Sequence, residues 1–244
     1  NSINWARIMV QIIYYFSAFY QMNDLSDAKL SFSVPTGNFG DAYAGYLSKR
    51  MGLPINKIIV ATNKNDILDR VFRTGVYKSN RVSKTLSPSM DIQVASNFER
   101  LLFDLLNNNT KEVEKLMKNL SNKGHFSLEK RILSSISRDF DSAAVTDNDT
   151  IATINRFFYE REIILCPHSA IAVRVGKNFV DAGETVVSLG TAHPAKFRET
   201  VETALDMNIP VPPALKVVME KKESVKVIPP SKEQVAYEIR KSHL

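Results

Sequence analysis

Apolar runs alternate with amphipathic stretches along this chain, and the alternation predicts its architecture. Ile8, Ile12, Tyr15, Phe16 and Phe19 recur at helical spacing behind a cap at Ser2 or Asn4. Val10, Ile13 and Tyr14 fill much of the opposite face, so a helix through about Phe19 is expected to be covered on most sides. After a linker over 23–27, residues 30–35 read as a buried strand and residues 41–51 as a helix ended by Gly52 and Pro54. Residues 57–61 form a second near-continuous apolar strand, and 66–72 a helix stopped at Gly75. That succession is the grammar of an α/β core, a mostly parallel sheet flanked by helices with right-handed crossovers.

Residues 77–89 are basic, rich in Ser and Thr, and carry Pro88, which disfavours helix at Ser87; they read as an ordered loop over the sheet. Amphipathic stretches follow at 96–106, 110–120, 127–137 and 150–160, the last capped by Asp147-Asn148-Asp149. With no strand pattern among them, 97–160 is expected to be a mainly helical insertion between two parts of the core, 1–96 and 161–213. Strand character returns at 163–165 and 185–189. Each run leads into a helix, through Cys166-Pro167-His168-Ser169-Ala170 and through Thr191 to Phe197, with Pro194 where a missing N–H is harmless. Pro210, Pro212 and Pro213 read as a rigid connector, and 214–244 as a C-terminal extension made of a basic strand or loop over 215–228 and a closing helix from Lys232.

Composition then narrows the class. The chain has 244 residues, 44% of them hydrophobic, enough for one large core with an appendage. A formal net charge of +6 suits an anionic ligand, but the 32 basic and 26 acidic residues are interspersed and accompany no nucleic-acid-binding signature, so no nucleic-acid partner is expected. The single cysteine, Cys166, excludes an intramolecular disulfide and fits a reducing compartment. No membrane span is expected, because the most suggestive run, 8–20, is short and broken by Gln11 and Ser17. The four histidines lack zinc-ligand spacing and there is no Gly-x-Ser-x-Gly elbow, so neither a metal site nor a serine nucleophile is expected. The opening, without Met and leading at once into an apolar helix, reads as a fragment boundary.

The stretch from Phe32 to Leu47 carries the most chemistry: a strand, the turn Gly37-Asn38-Phe39-Gly40, and a helix starting near Asp41. A turn with little side-chain bulk leaves helix N-terminal amides able to hold an anion, most commonly a phosphate. The turn fits neither the Walker A pattern nor the dinucleotide fingerprint, so ATP, GTP and NAD are not favoured. The plainer reading is a βα turn in which Gly37 and Gly40 take special dihedrals and Asp41 caps the helix. Asp41 repels an anion, so it either caps the backbone or faces another part of a ligand. A parallel sheet puts all three strand-to-helix joints at one edge, where they are expected to share a pocket. His168 and His193 lie on those joints, where a neutral structural role is the commoner one. Cys166 reads as a buried small hydrophobe.

Six blocks resemble, in order, the signature blocks of threonine synthase: Asn1-Ser2-Ile3-Asn4-Trp5-Ala6-Arg7-Ile8, Val34-Pro35-Thr36-Gly37-Asn38-Phe39-Gly40-Asp41, Ala61-Thr62-Asn63-Lys64-Asn65-Asp66-Ile67-Leu68, Thr85-Leu86-Ser87-Pro88-Ser89-Met90-Asp91-Ile92, Ser96-Asn97-Phe98-Glu99-Arg100 and Thr191-Ala192-His193-Pro194-Ala195-Lys196-Phe197. They cover most of the chain to about Asp206. The resemblance implies the fold-type II architecture, tryptophan synthase beta-like, and a pyridoxal 5′-phosphate enzyme. Its activity would be that of a carbon-oxygen lyase of threonine biosynthesis, converting O-phospho-L-homoserine and water to L-threonine and phosphate. A cytoplasmic location and a monomer or homodimer are implied with it.

The resemblance also assigns residues. Gly37, Asn38, Phe39, Gly40 and Asp41 match the loop that cradles the cofactor phosphate. Thr191 matches the hydroxyl set against the pyridine nitrogen, a neutral partner that leaves that nitrogen largely unprotonated. Ser2, Asn4 and Arg7 follow the family's substrate-contacting loop, with Arg7 either a phosphate or carboxylate contact or a helix-surface residue. His168 and His193 stand behind the site. Where the family has Asp-Pro-His-Thr, this chain has Cys166-Pro167-His168-Ser169. The family's Schiff-base lysine lies upstream of Asn1, and Lys64 and Lys196 fall in blocks with other roles, so the chain is expected to hold no catalytic residue and to be inactive by itself. Two readings stand beside the synthase: a threonine synthase-like phospholyase, and a non-catalytic phosphate-binding or structural piece.

Overall fold

The computed structural model describes residues 3–22 and 30–242 of the chain, and its six strands are β1 (Leu30–Pro35), β2 (Ile55–Thr62), β3 (Val76–Lys78), β4 (His125–Ser127), β5 (Phe140–Ala144) and β6 (Thr185–Ser188). Four of them form one all-parallel sheet in the order β5-β2-β1-β6. Every residue of β1 is buried, as a central strand of a parallel sheet must be. The linker expected over 23–27 lies outside the described residues, as does Ser2.

The two faces of the sheet are covered differently. Ile59 and Ala61 pack against Ile171 and Val175 of α8 (Pro167–Val180). The helix lies close: a Cβ on Gly176 would stand 3.1 Å from Ser188 Oγ and from Val186 Cγ1, and 3.2 Å from the Ser33 Cβ. Ser33 completes that contact by donating its hydroxyl to the Ala172 carbonyl at 2.7 Å. Small side chains on this face are therefore what let the helix approach.

On the opposite face Phe32, Val34, Ile58 and Val60 join the large core with α2 (Gly40–Arg50) and α3 (Ile67–Thr74). The first helix, α1 (Trp5–Gln21), packs on α2 through Tyr15. The Tyr15 ring lies 4.8 Å from that of Phe32, and its hydroxyl donates to the Asp41 carbonyl at 2.7 Å. Much of the rest of α1 is exposed, including Met9, Val10, Ile13 and Tyr14, where the pattern predicted cover on most sides.

The stretch 97–160, expected to be mainly helical and to contain no strand, contains α4 (Phe98–Leu105), α5 (Thr110–Lys123), α6 (Lys130–Asp139) and α7 (Asp147–Arg161), and also two strands. β4 pairs antiparallel with β3. β5 is a strand of the main sheet, paired with β2 from Ile58 to Thr62. Its residues, Phe140-Asp141-Ser142-Ala143-Ala144, have little strand pattern of their own; the open edge of β2 makes the segment a strand. Ser142 donates to Asp69 of α3 at 2.8 Å, which satisfies a polar side chain inside the fold.

Two other expectations change. Residues 163–165 form no strand and have no sheet partner among the described residues, with Ile163 exposed. Residues 215–228, expected as strand or loop, begin inside α10 (Pro213–Met219), where Pro213 fills a first-turn position, and continue as irregular chain. After the 3-10 turn Pro194–Phe197 and α9 (Arg198–Leu205) the chain divides into two compact units, through Ile209 and from Pro210. The second unit holds α10 and the closing α11 (Lys232–Ser242), with Lys226 paired to Glu238 at 2.6 Å. Among the described residues no helix is long and apolar enough to cross a membrane.

The α1 contact makes a test of sign. Alanine in place of a mid-helix glycine ordinarily stabilises by up to about 1 kcal/mol. At Gly45 the added Cβ would stand 2.7 Å from Tyr15 Cε1, on a ring that is 1% exposed and tied down by its hydroxyl. Gly45→Ala is therefore expected to destabilise by about 1–3 kcal/mol in urea unfolding; a gain in stability would contradict the packing of α1 on α2.

Candidate functional site

The site begins where β1 ends. Thr36 extends the sheet by donating its amide to the Ala61 carbonyl at 2.8 Å, and Gly37-Asn38-Phe39 then turn the chain into α2. Phe39 has φ 67°, the left-handed region, which costs a non-glycine residue about 1–2 kcal/mol. Its ring offsets that cost by burial, with ring centres 5.7 Å from Phe140, 5.8 Å from Phe98 and 6.1 Å from Phe72. No side chain caps α2, so the cap considered for Asp41 is not formed. Among the described residues nothing accepts from the amides of Gly37, Asn38, Phe39 and Gly40, and these donors stand at the positive end of the helix dipole. The Asn38 carbonyl of the turn is engaged by Asn97, accepting from its amide and from its Nδ2, each at 3.0 Å. Gly37 is required on steric grounds, since a Cβ there would meet the Ser89 carbonyl oxygen at 2.7 Å and the Met90 Cα at 3.3 Å.

Asp41, in the first turn of α2, lines a cleft of about 530 Å³. Arg7, Gln11 and Tyr14 of α1 form one wall and Ser188, Gly190 and Thr191 the other. Asp41 Oδ1 is buried and has no partner. Burial raises the Asp41 carboxyl above its ordinary value, while the Arg7 charge and a hydrogen bond from Gln11 pull it back. The structure thus brings Arg7, Asp41 and Thr191 to one cleft. It separates Asn4 from them in role: Asn4 caps α1, its Oδ1 accepting from the Ala6 amide at 2.9 Å.

Of the other two joints, the one at 190–191 reaches the cleft and the one at 166–170 does not. Cys166 caps α8, its sulfur accepting from the Ser169 amide at 3.4 Å. Ser169 Oγ in turn accepts from the Thr191 amide at 3.3 Å, which fixes the 190–191 turn without placing the 166–170 joint in the cleft. His168 is 4% exposed; its Nε2 accepts from the Ser89 amide at 3.2 Å, and its ring centre lies 4.5 Å from that of Phe197. Burial, with the Lys196 charge beside it, depresses the imidazole to about 4, so it is neutral near pH 7 with its proton on Nδ1. His193 caps the Pro194–Phe197 turn by accepting from the Ala195 amide at 3.1 Å. Neither histidine lines the cleft. Gln11 was not anticipated; its signal was a polar residue one helical turn after Arg7 on an otherwise apolar helix. Among the described residues no cluster of His, Cys, Asp or Glu could hold a metal ion.

Comparison with known proteins places this arrangement. A family model described as threonine synthase, C-terminal, matches residues 169–239. The chain is 46% identical over 231 residues to threonine synthase from Pseudomonas aeruginosa, covering 94% of this chain and 49% of the relative. It is 43% identical over 224 residues to threonine synthase from Saccharomyces cerevisiae, covering 84% and 44%. The crystal structure of PLP-bound threonine synthase from Brucella melitensis superposes with a TM-score of 0.89 at 44% identity, covering 100% of this chain and 52% of that one. The parallel sheet, with its uncapped helix at the strand edge, is the fold-type II architecture of pyridoxal phosphate enzymes. Within that class the chain belongs to the threonine synthase family, and it spans about half the length of the curated relatives it matches.

The His168 environment predicts a pH dependence. An unfolded histidine titrates near 6.5 and the folded one near 4. Between those values the unfolded chain binds more protons, so stability present above pH 6.5 is lost as the pH falls toward 4, by up to about 3 kcal/mol. Urea unfolding from pH 4 to 7 should show a shallower slope in His168→Gln, whose Oε1 can still accept from the Ser89 amide. Equal slopes would contradict a neutral buried imidazole.

Proposed function

We propose that this chain supplies the phosphate-holding side of a pyridoxal 5′-phosphate site, and that the complete protein is a cytoplasmic threonine synthase converting O-phospho-L-homoserine and water to L-threonine and phosphate. The observation that carries this reading is the run of amides at residues 37–40, heading α2, that nothing among the described residues engages; the next residue, Asp41, lines the cleft with Arg7 and Thr191, while residues 37–40 themselves do not. The residues fit the cofactor. Its phosphate is a dianion, which N-terminal amides and the helix dipole stabilise without a side-chain cation. Thr191 offers a neutral hydroxyl to the pyridine nitrogen, so that nitrogen stays largely unprotonated. When bound, pyridoxal phosphate supplies an electron sink for negative charge developing on the substrate carbons.

The chain's own groups then divide the work. The amides of residues 37–40 fix the cofactor phosphate. Arg7, exposed on the first turns of α1 and lining the same cleft as Asp41, attracts the substrate phosphate or carboxylate. Asp41, raised by burial, keeps an unpartnered oxygen for a hydrogen on the ligand rather than for the helix end. Ser2 and Asn4 follow a substrate-contacting segment in this reading. His168 and His193 hold the surrounding turns and transfer no proton.

The complete reading frame that encodes this chain, incubated with pyridoxal 5′-phosphate and O-phospho-L-homoserine, is expected to release phosphate and L-threonine in equal amounts. Phosphate without threonine would make the protein a phospholyase. Neither product, with no cofactor retained, would overturn the reading. In the same protein Gly37→Ala pushes a methyl into the Ser89 backbone and is expected to weaken cofactor retention about tenfold or more; retention equal to wild type would contradict the cradle.

A further inference from the structure

A second set of residues shapes the cradle from behind. Asn63 and Asn65 follow β2 directly and are 1% and 3% exposed. Both turn Nδ2 toward Asp91 Oδ1, at 2.8 and 2.9 Å. Thr85 donates its hydroxyl to the same oxygen at 2.6 Å and its amide to Oδ2 at 2.9 Å. One carboxylate therefore gathers donors from the end of a sheet strand and from the far side of a loop, and hydrogen bonds to an ionised acceptor are about twice as strong as neutral ones.

Between Thr85 and Asp91 the chain makes a tight turn, with the Met90 amide donating to Ser87 O at 2.9 Å and the Asp91 amide to Pro88 O at 3.1 Å. The tip of that turn, Ser89 and Met90, is the backbone that would meet a Cβ on Gly37 at 2.7 and 3.3 Å. The Ser89 amide is also the group held by His168 Nε2. Asp91 is not among the residues lining the cleft. It reaches the cradle only through the turn it closes.

The geometry points to Asp91 as the positioning residue of the anion cradle: by drawing Asn63, Asn65 and Thr85 onto one carboxylate it holds the Ser89 and Met90 backbone against Gly37 and so sets the spacing of the amides at residues 37–40. The inference rests on the reading of those amides as the seat of a phosphate. Asparagine at position 91 keeps one acceptor oxygen but turns an NH₂ group toward the Thr85 amide, so Asp91→Asn disturbs the turn with little change in volume.

The test uses the full chain, labelled with ¹⁵N, and pyridoxine 5′-phosphate, which lacks the aldehyde and does not react with surface lysines. Asp91→Asn is expected to shift the backbone amide signals of residues 37–40 and to weaken binding of the probe about tenfold, and Asp91→Ala to do more. Ile132→Ala, which removes a buried side chain from α6, should lower the melting temperature while leaving those amide signals in place. Should Asp91→Ala fail to fold, Asp91→Asn carries the test. If wild type binds the probe and Asp91→Asn moves neither the signals nor the affinity, the positioning role is overturned. If Asp91→Asn moves the signals but wild type binds no probe, the positioning role stands and the phosphate reading falls.

Discussion

The site depends on one inverted residue. Phe39 takes a left-handed conformation that most side chains avoid, and it can do so because its ring is locked among Phe72, Phe98 and Phe140. That inversion starts α2 with no capping side chain and leaves its first amides without an acceptor among the described residues. The aromatic cluster draws on α3, α4 and β5, so three separated parts of the chain stabilise a single φ angle. A strained dihedral at a site persists only where the surroundings over-determine it, and here the surroundings are the core itself.

Around that turn the fold arranges contacts of different kinds. α8 presses on one face of the sheet through Gly176 and Ser33, and its cap leads through Ser169 to the Thr191 amide. On the other face Tyr15 anchors α1 to the Asp41 carbonyl, which brings Arg7 and Gln11 into the cleft beside the Asp41 side chain. Polar groups in the cleft are thus carried on helices whose positions are set by buried contacts. This is how a site gains a fixed geometry from a scaffold.

Much of this was legible in the sequence, and the rest was not for identifiable reasons. β1 and β2 announced themselves because strands covered on both faces are apolar throughout. β5 did not, because Asp141, Ser142 and two alanines are made a strand by the edge of β2 rather than by their own pattern. Residues 163–165 have the composition of a strand but no neighbour to pair with among the described residues. The turn at 37–40 could be proposed as an anion site from its glycines and position, yet Asp41 as a possible cap was not separable from Asp41 as a cleft residue until the αL geometry of Phe39 was known. The pairing of Asn63 and Asn65 with Asp91 spans a loop, and no local spacing records it.

The central claim is that the amides of residues 37–40 seat a phosphate and that Thr191 meets the same ligand at its far end. A crystal structure of the complete protein with pyridoxal 5′-phosphate bound measures this most directly. The account predicts the phosphate oxygens within hydrogen-bonding distance of the Asn38, Phe39 and Gly40 amides and the pyridine nitrogen beside the Thr191 hydroxyl. A phosphate held elsewhere, with those amides turned to water or to another segment of the chain, would contradict it.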